Sequence, residues 1–387
     1  MIERFSIAVA FGLFVQPTIS MASPLPEKHP FSRCFVEPSY VSFPNQTVLA
    51  KASRGFNLPD WDKPRVDQNR KVSTLSNLNG RGMSHVRLPV FNEALYDAKS
   101  SDKADNYLVS LRQKLDQLIG LGYVVSIDFH PGGDFHAYYR EFPLLGRERL
   151  VAAWQRLVTV ARDYSAKDVL VEILNEPDIG TALWAQEVRV LAELIRTELP
   201  EHTIVVGAAG PSRFETLAEK EPLKDPNIIY AFHFYDPFYF THQGASWHRE
   251  NDPIRALSGV PFPTSLDHPL MIDVMDSLEK QKRFDVISFL EQQLQKPATI
   301  MALRDAFNDV HRWSVKHNRP VILNEFGVLA DQAPLASRLL WISTVRILSE
   351  ARCFGWAHWD YDLGFGFIDP RTGKPDTTIL HGLLNDQ

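Results

Sequence analysis

Glu176 and Glu325 occupy equivalent places in two distant segments of the chain. Val169-Leu170-Val171-Glu172-Ile173-Leu174 reads as a strand and runs directly into Asn175-Glu176-Pro177. Val321-Ile322-Leu323 reads as another and runs into Asn324-Glu325-Phe326-Gly327. Each glutamate therefore falls where a short apolar strand ends. Two carboxyl groups brought face to face can divide the work of cleaving a glycosidic bond. One, protonated, gives its proton to the leaving oxygen; the other, ionised, attacks the anomeric carbon. A single strand-end glutamate is better explained by an ion pair at a loop mouth. Two of them, each preceded by an asparagine, favour catalysis.

Other polar residues recur at the same kind of position. Arg87 lies near the end of His85-Val86-Arg87-Leu88-Pro89, and a guanidinium beside a carboxylate keeps it ionised. His130 ends Asp128-Phe129-His130, followed by Pro131-Gly132-Gly133. His233 and Tyr235 are two residues apart in Phe232-His233-Phe234-Tyr235, so both point the same way from a strand. Trp359 follows Gly355-Trp356-Ala357-His358, where an indole face could floor a sugar site. His130, Asp134 and His136 form a His-x-x-x-Asp-x-His spacing that could hold a metal. The tight loop expected at Gly132-Gly133 speaks against that, and no metal is assigned.

Residues at strand ends need strands to carry them. Candidate strands are Ser53–Asn57, His85–Leu88, Val124–Phe129, Val169–Leu174, Thr203–Val206, Ile228–Phe234, Val321–Asn324 and Gly355–His358. Amphipathic helical segments lie between them. Leu108, Leu111, Leu115, Leu118 and Ile119 share one helical face, as do Leu150, Trp154, Leu157, Val158 and Ala161. Strands alternating with helices predict an α/β fold with a parallel sheet. Eight of them favour a closed (β/α)8 TIM barrel over an open doubly wound sheet. The connection from Asp236 to about Thr299 is long, carries a helical stretch near Asp285–Gln295, and reads as an insertion after strand six. Within it, Trp247 and His242 could either shape the cleft or plug the loop.

The chain has 387 residues and a formal net charge of −6, which argues against a nucleic-acid partner. Arg4, the apolar run Phe5–Val15 and small residues near Ala22 read as a signal peptide over residues 1–22. The run is too short to span a membrane. Residues 23–50, rich in Pro and Ser, read as an extended segment on the barrel surface, and 51–387 as one catalytic domain. Cys34 and Cys353 are the two cysteines. A bridge and two free buried thiols are equally compatible with the sequence. Asn45-Gln46-Thr47 matches a glycosylation sequon.

Taken in order, these elements resemble the cellulase-type glycoside hydrolases of family five. The resemblance rests on Arg54-Gly55-Phe56-Asn57, Val86-Arg87-Leu88-Pro89, His130, Asn175-Glu176-Pro177, His233-x-Tyr235, Glu325-Phe326-Gly327 and Trp359, and runs from about Arg54 to Trp359. It implies a retaining hydrolase with Glu176 as acid/base and Glu325 as nucleophile. It further implies that Asn175 bonds the substrate 2-hydroxyl and that Arg87 and Tyr235 bracket Glu325. His233 would contact Glu176, His130 would line the reacting-sugar site, and Trp359 would stack beneath that sugar. The expected substrate is a β-linked polysaccharide, cut internally as by an endo-β-glucanase, without a cofactor, by a secreted or periplasmic monomer. Alternatives are a mannanase, an exopolysaccharide-processing glycosidase or transglycosylase, a non-catalytic carbohydrate-binding barrel, or a metal hydrolase centred on His130.

Overall fold

The structure is a computed structural model and describes residues 29–384; the expected signal peptide lies outside the described residues. Eight strands form the centre: β1 (Arg54–Asn57), β2 (His85–Val90), β3 (Val124–Phe129), β4 (Val169–Glu172), β5 (Thr203–Gly207), β6 (Ile228–Phe234), β7 (Val321–Phe326) and β8 (Gly355–His358). They pair in chain order, and β1 closes on β8 in parallel to complete a barrel. Helices follow in turn: α1 (Val72–Gly80), α2 (Ser101–Gly120), α3 (Pro143–Ala161), α4 (Thr181–Glu198), α5 (Phe214–Ala218), α6 (Ile300–His317), α7 (Leu335–Ala351) and α8 (Thr377–Leu384). The fold is a (β/α)8 TIM barrel.

The strands read as near-continuous apolar runs because both of their faces are covered, one by the barrel interior and one by helices. The helical faces seen in the sequence are those that bury: Leu108, Leu111, Leu115 and Leu118 on α2, and Leu150, Trp154, Leu157, Val158 and Ala161 on α3. Ile119, expected with the first set, is partly buried.

The insertion after β6 is a folded unit. It contains Pro269–Lys280 as well as Phe284–Gln293, close to the helical stretch expected from the sequence. Its base is pinned where the Thr264 amide donates to the Ala298 carbonyl at 3.1 Å. Leu257, Val260, Met271, Leu278, Val286 and Leu290 join it to the main core. Among the described residues no helix is long and apolar enough to cross a membrane.

The N-terminal segment departs from expectation. From Ser32 onward it is not extended but folds into short helical turns at Ser32–Val36, Pro38–Val41 and Gln46–Lys51. Pro38 sits in the first turn of its helix, where a missing amide hydrogen costs nothing. Phe31, Cys34, Tyr40, Phe43, Val48 and Leu49 are buried. Asn45 is occupied structurally: its oxygen caps Val48 and its amide donates to the Ala166 carbonyl at 2.5 Å.

Cys34 and Cys353 are bonded, with their Cα atoms 5.6 Å apart. The bond joins residues 319 positions apart, so it restricts the unfolded chain far more than the folded one. Replacing both cysteines by serine is expected to cost about 2–4 kcal/mol. The measurement is the thermal midpoint, which reductant should lower in the native chain and leave unmoved in the double variant.

Candidate active site

Arg87 is wholly buried at the C-terminal end of the barrel, and every N–H of its guanidinium is committed. Nε and Nη2 grip the two oxygens of Glu172 at 2.8 and 2.9 Å. Nη2 also reaches Asn175 Oδ1 at 2.8 Å and Asp128 Oδ2 at 2.9 Å. Nη1 donates to Asn57 Oδ1 at 2.9 Å and to Glu325 Oε1 at 2.5 Å. Burial alone would favour the neutral form. Asp128, Glu172 and Glu325 outweigh it and hold the pKa well above the usual arginine range. The strand register delivers this packing, since Asp128 on β3 lies directly beside Glu172 on β4. From the far wall of the barrel, Asn324 Nδ2 donates to both Glu172 oxygens at 2.9 and 3.0 Å.

Glu325 lies within β7. Arg87 holds one of its oxygens, and the Tyr235 hydroxyl donates to the other at 3.1 Å. Glu176 lies in the loop after β4 with φ at +44°, a left-handed backbone that few side chains adopt. Its Oε1 is 2.9 Å from His233 Nδ1, which is itself 3.4 Å from Glu325 Oε2. Glu176, His233 and Glu325 each bring an atom to within 4.8 Å of the others. His233 reaches that position through a register shift between β6 and β7. Phe232 pairs with Leu323, but His233 pairs with Glu325. Such a bulge re-aims a side chain at the rim of a barrel.

The two carboxyl groups differ in setting. Glu325 is pinned by a cation and a phenol. Burial raises the Glu176 pKa above its ordinary value, partly opposed by His130 and Arg87. Burial also pushes His233 down to about 4, so its ring is neutral. A neutral imidazole can donate to Glu176 as a carboxylate or accept from it as an acid.

His130 Nδ1 is 2.6 Å from Asp128 Oδ2, and its ring stacks on Trp359 with centroids 5.5 Å apart and planes 13° apart. Trp359 enters the mouth because Gly327 allows it: a Cβ at Gly327 would stand 2.1 Å from the Trp359 carbonyl oxygen. On the Glu176 side is a cavity of about 200 Å³, lined in part by Arg213, Phe214, His233, Tyr235 and Phe238.

The structure thus gathers Arg87, His130, Asn175, Glu176, His233, Tyr235, Glu325 and Trp359 at one mouth. Asp128, Glu172, Asn57 and Asn324 belong there too and were not singled out by sequence. Glu172 carried a signal, being a lone charge inside an apolar strand, which demands a buried partner. Asp128 carried a weaker one, two residues before His130 on the same strand face. His130, Asp134 and His136 do not converge. Gly133–Glu141 is a helix and not the tight loop expected, with Gly132 tolerated as its N-cap; Asp134 is exposed while His136 is buried. His242 is packed, stacked on Phe238 at 3.8 Å, whereas Trp247 is 60% exposed.

Glu172→Gln tests the buried network. An amide would aim its own N–H groups at donors of Arg87 or Asn324. The variant is expected to lose about 3 kcal/mol or more of folding stability in denaturant titration.

The family model described as cellulase (glycosyl hydrolase family 5) matches residues 44–362. Endoglucanase 3 of Fibrobacter succinogenes is 27% identical over 247 residues, 61% of this chain and 37% of that protein. Endoglucanase C of Acetivibrio thermocellus is 24% identical over 327 residues, 79% of this chain and 90% of that protein. Several relatives are longer: the matches span 37%, 61% and 29% of Endoglucanase 3, of Cellodextrinase A of Ruminococcus flavefaciens and of Endoglucanase H of Acetivibrio thermocellus. Among solved structures, a hyperthermophilic endo-beta-1,4-glucanase shares the fold with a TM-score of 0.70 at 23% identity, covering 90% of this chain and 99% of that one. The clostridial cellulose synthase subunit Z of Clostridioides difficile shares it with a TM-score of 0.66 at 24% identity, covering 86% of this chain and 99% of that one. With a family model matched across most of its length, this chain belongs to the cellulase family, glycosyl hydrolase family 5.

Proposed function

We propose that the chain is a retaining endo-β-glucanase that cleaves a β-linked polysaccharide by double displacement. The observation that carries this reading is the pair Glu176 and Glu325, with oxygens within 4.8 Å across the barrel mouth and unlike surroundings. Retaining enzymes place their carboxyl groups about 5–5.5 Å apart; inverting ones need room for a water between them. Endo action on a glucan is supported by the endoglucanases among its relatives.

In the first step a Glu325 oxygen attacks the anomeric carbon while Glu176 gives its proton to the glycosidic oxygen. The leaving sugar departs and a glycosyl ester on Glu325 remains. In the second step Glu176, now a carboxylate, takes a proton from water as that water attacks the same carbon and frees Glu325. Arg87 and Tyr235 orient Glu325. Asn175, whose oxygen is already held by Arg87, has its amide left to donate to the substrate 2-hydroxyl. Trp359 offers its face to the reacting sugar, beside His130. Every one of these groups comes from one chain, so a monomer suffices. The disulfide supports an oxidising location, secreted or periplasmic.

Hydrolysis of β-glucans, β-mannans and aryl β-glycosides by the native chain, Glu176→Ala and Glu325→Ala tests the assignment. Either substitution should lower polymer hydrolysis by about 10³-fold. An aryl glycoside with a good leaving group needs no acid, so its first step should survive Glu176→Ala and fail with Glu325→Ala. Polymer activity that persists in both variants refutes the mechanism.

The pH profile gives a second test. The acid works below the pKa of Glu176, so the alkaline limb should lie above the ordinary glutamate range. Asp178, a nearby anion, helps to raise that pKa. Asp178→Asn should ease ionisation of Glu176 and move the limb to lower pH.

A further inference from the structure

We propose that Asp128 is a positioning residue that fixes the tautomer of His130, so that the ring offers Nε2 to a substrate hydroxyl as a hydrogen-bond acceptor. This rests on the glycosidase reading above and adds to it a defined role for a residue outside the reacting pair.

Asp128 is completely buried. Its Oδ2 forms an ion pair with Arg87, 2.9 Å from Nη2, and faces His130 Nδ1 at 2.6 Å. Oδ1 has no hydrogen-bond partner among the described residues. The carboxylate thus spends its contacts on one side, where Arg87 and His130 meet. A carboxylate facing Nδ1 requires the proton there, and a neutral imidazole carries a single proton, so the lone pair falls on Nε2. Burial lowers the His130 pKa below its ordinary value, which keeps the ring neutral. Nε2 makes no hydrogen bond among the described residues, and the side chain is 22% exposed to the cleft. The stack on Trp359 fixes the ring plane. Tautomer and plane together leave one acceptor, held in a set direction at the position of the reacting sugar. A sugar hydroxyl is the donor that fits it.

Long-range proton–nitrogen spectra of the histidine rings read the tautomer directly, with His130 assigned by the signal lost in His130→Gln. Spectra are taken at about pH 8. Burial pushes the Asp128 carboxyl up to about 7, against the pull of Arg87 and with Glu176 adding to the rise, so it is ionised there. The native chain should show Nδ1–H at His130. Asp128→Ala should shift it toward Nε2–H and lower kcat/KM, measured at the same pH, by about 10–100-fold. Asp128→Asn should keep the native tautomer and most activity, because its amide oxygen can replace Oδ2 while its NH2 takes the unpartnered Oδ1 position. In a His130→Gln background Asp128→Ala should cost clearly less than in the native chain, the remainder being what Arg87 loses with its ion-pair partner. An Nε2–H ring in the native chain, an unchanged ring in Asp128→Ala, or full additivity of the two substitutions overturns the proposal. The spectra require no turnover, so failure of the glycosidase reading is seen separately, as a native enzyme inactive on every glycoside.

Discussion

A guanidinium with no access to water must find an acceptor for each of its hydrogens, and Arg87 imposes that demand on the whole barrel mouth. Its acceptors come from β1, β7 and the region at the end of β4: Asn57, Glu325, Glu172 and Asn175, with Asp128 of β3 paired to it as a neighbouring charge. Removing one partner of such a buried pair leaves a charge uncompensated. The strands therefore cannot slide past one another without breaking bonds at this point, because a slip of one residue turns each side chain to the opposite face. The same contacts that neutralise Arg87 hold Glu325 in place and fix where Glu176 must stand to meet it.

The pair is unequal because its two members reach the mouth by different routes. Glu325 projects from a strand into a fixed frame of arginine and tyrosine. Glu176 projects from a loop with an unusual backbone angle and leans on one neutral histidine. Glu325 is bonded to a cation and a phenol, while desolvation raises the pKa of Glu176 and so favours its acid form. Difference in setting, not in chemical type, separates an acid from a nucleophile.

Much of this was legible in the sequence, because strands covered on both faces write themselves as apolar runs and their ends are marked by polar residues. Glu176, Glu325 and their neighbours stood out for that reason. Glu172 and Asp128 did not, since a buried polar side chain inside a strand looks like an interruption until its partner across the barrel is known, and Asn324 lies 152 residues away. The N-terminal turns were hidden by prolines, which mark a helix start as readily as an extended run. The pairing of Cys34 with Cys353 was undecided because spacing along a chain says nothing of separation in space.

That pairing has a topological result. The seam where β1 meets β8 is the place where the barrel's two chain ends come together, and the disulfide lies beside it, with Cys353 two residues before β8. From Cys34 to Cys353 the protein is a covalent ring. Strands β1 to β7 lie inside that ring and cannot be peeled off from either end, whereas β8 and α8 lie beyond it and are the only elements that fraying from the C-terminal side of the bond can remove among the described residues. A single cut in any loop of the ring opens it into a linear chain but yields no separate fragment, so the two halves of the catalytic mouth stay tethered.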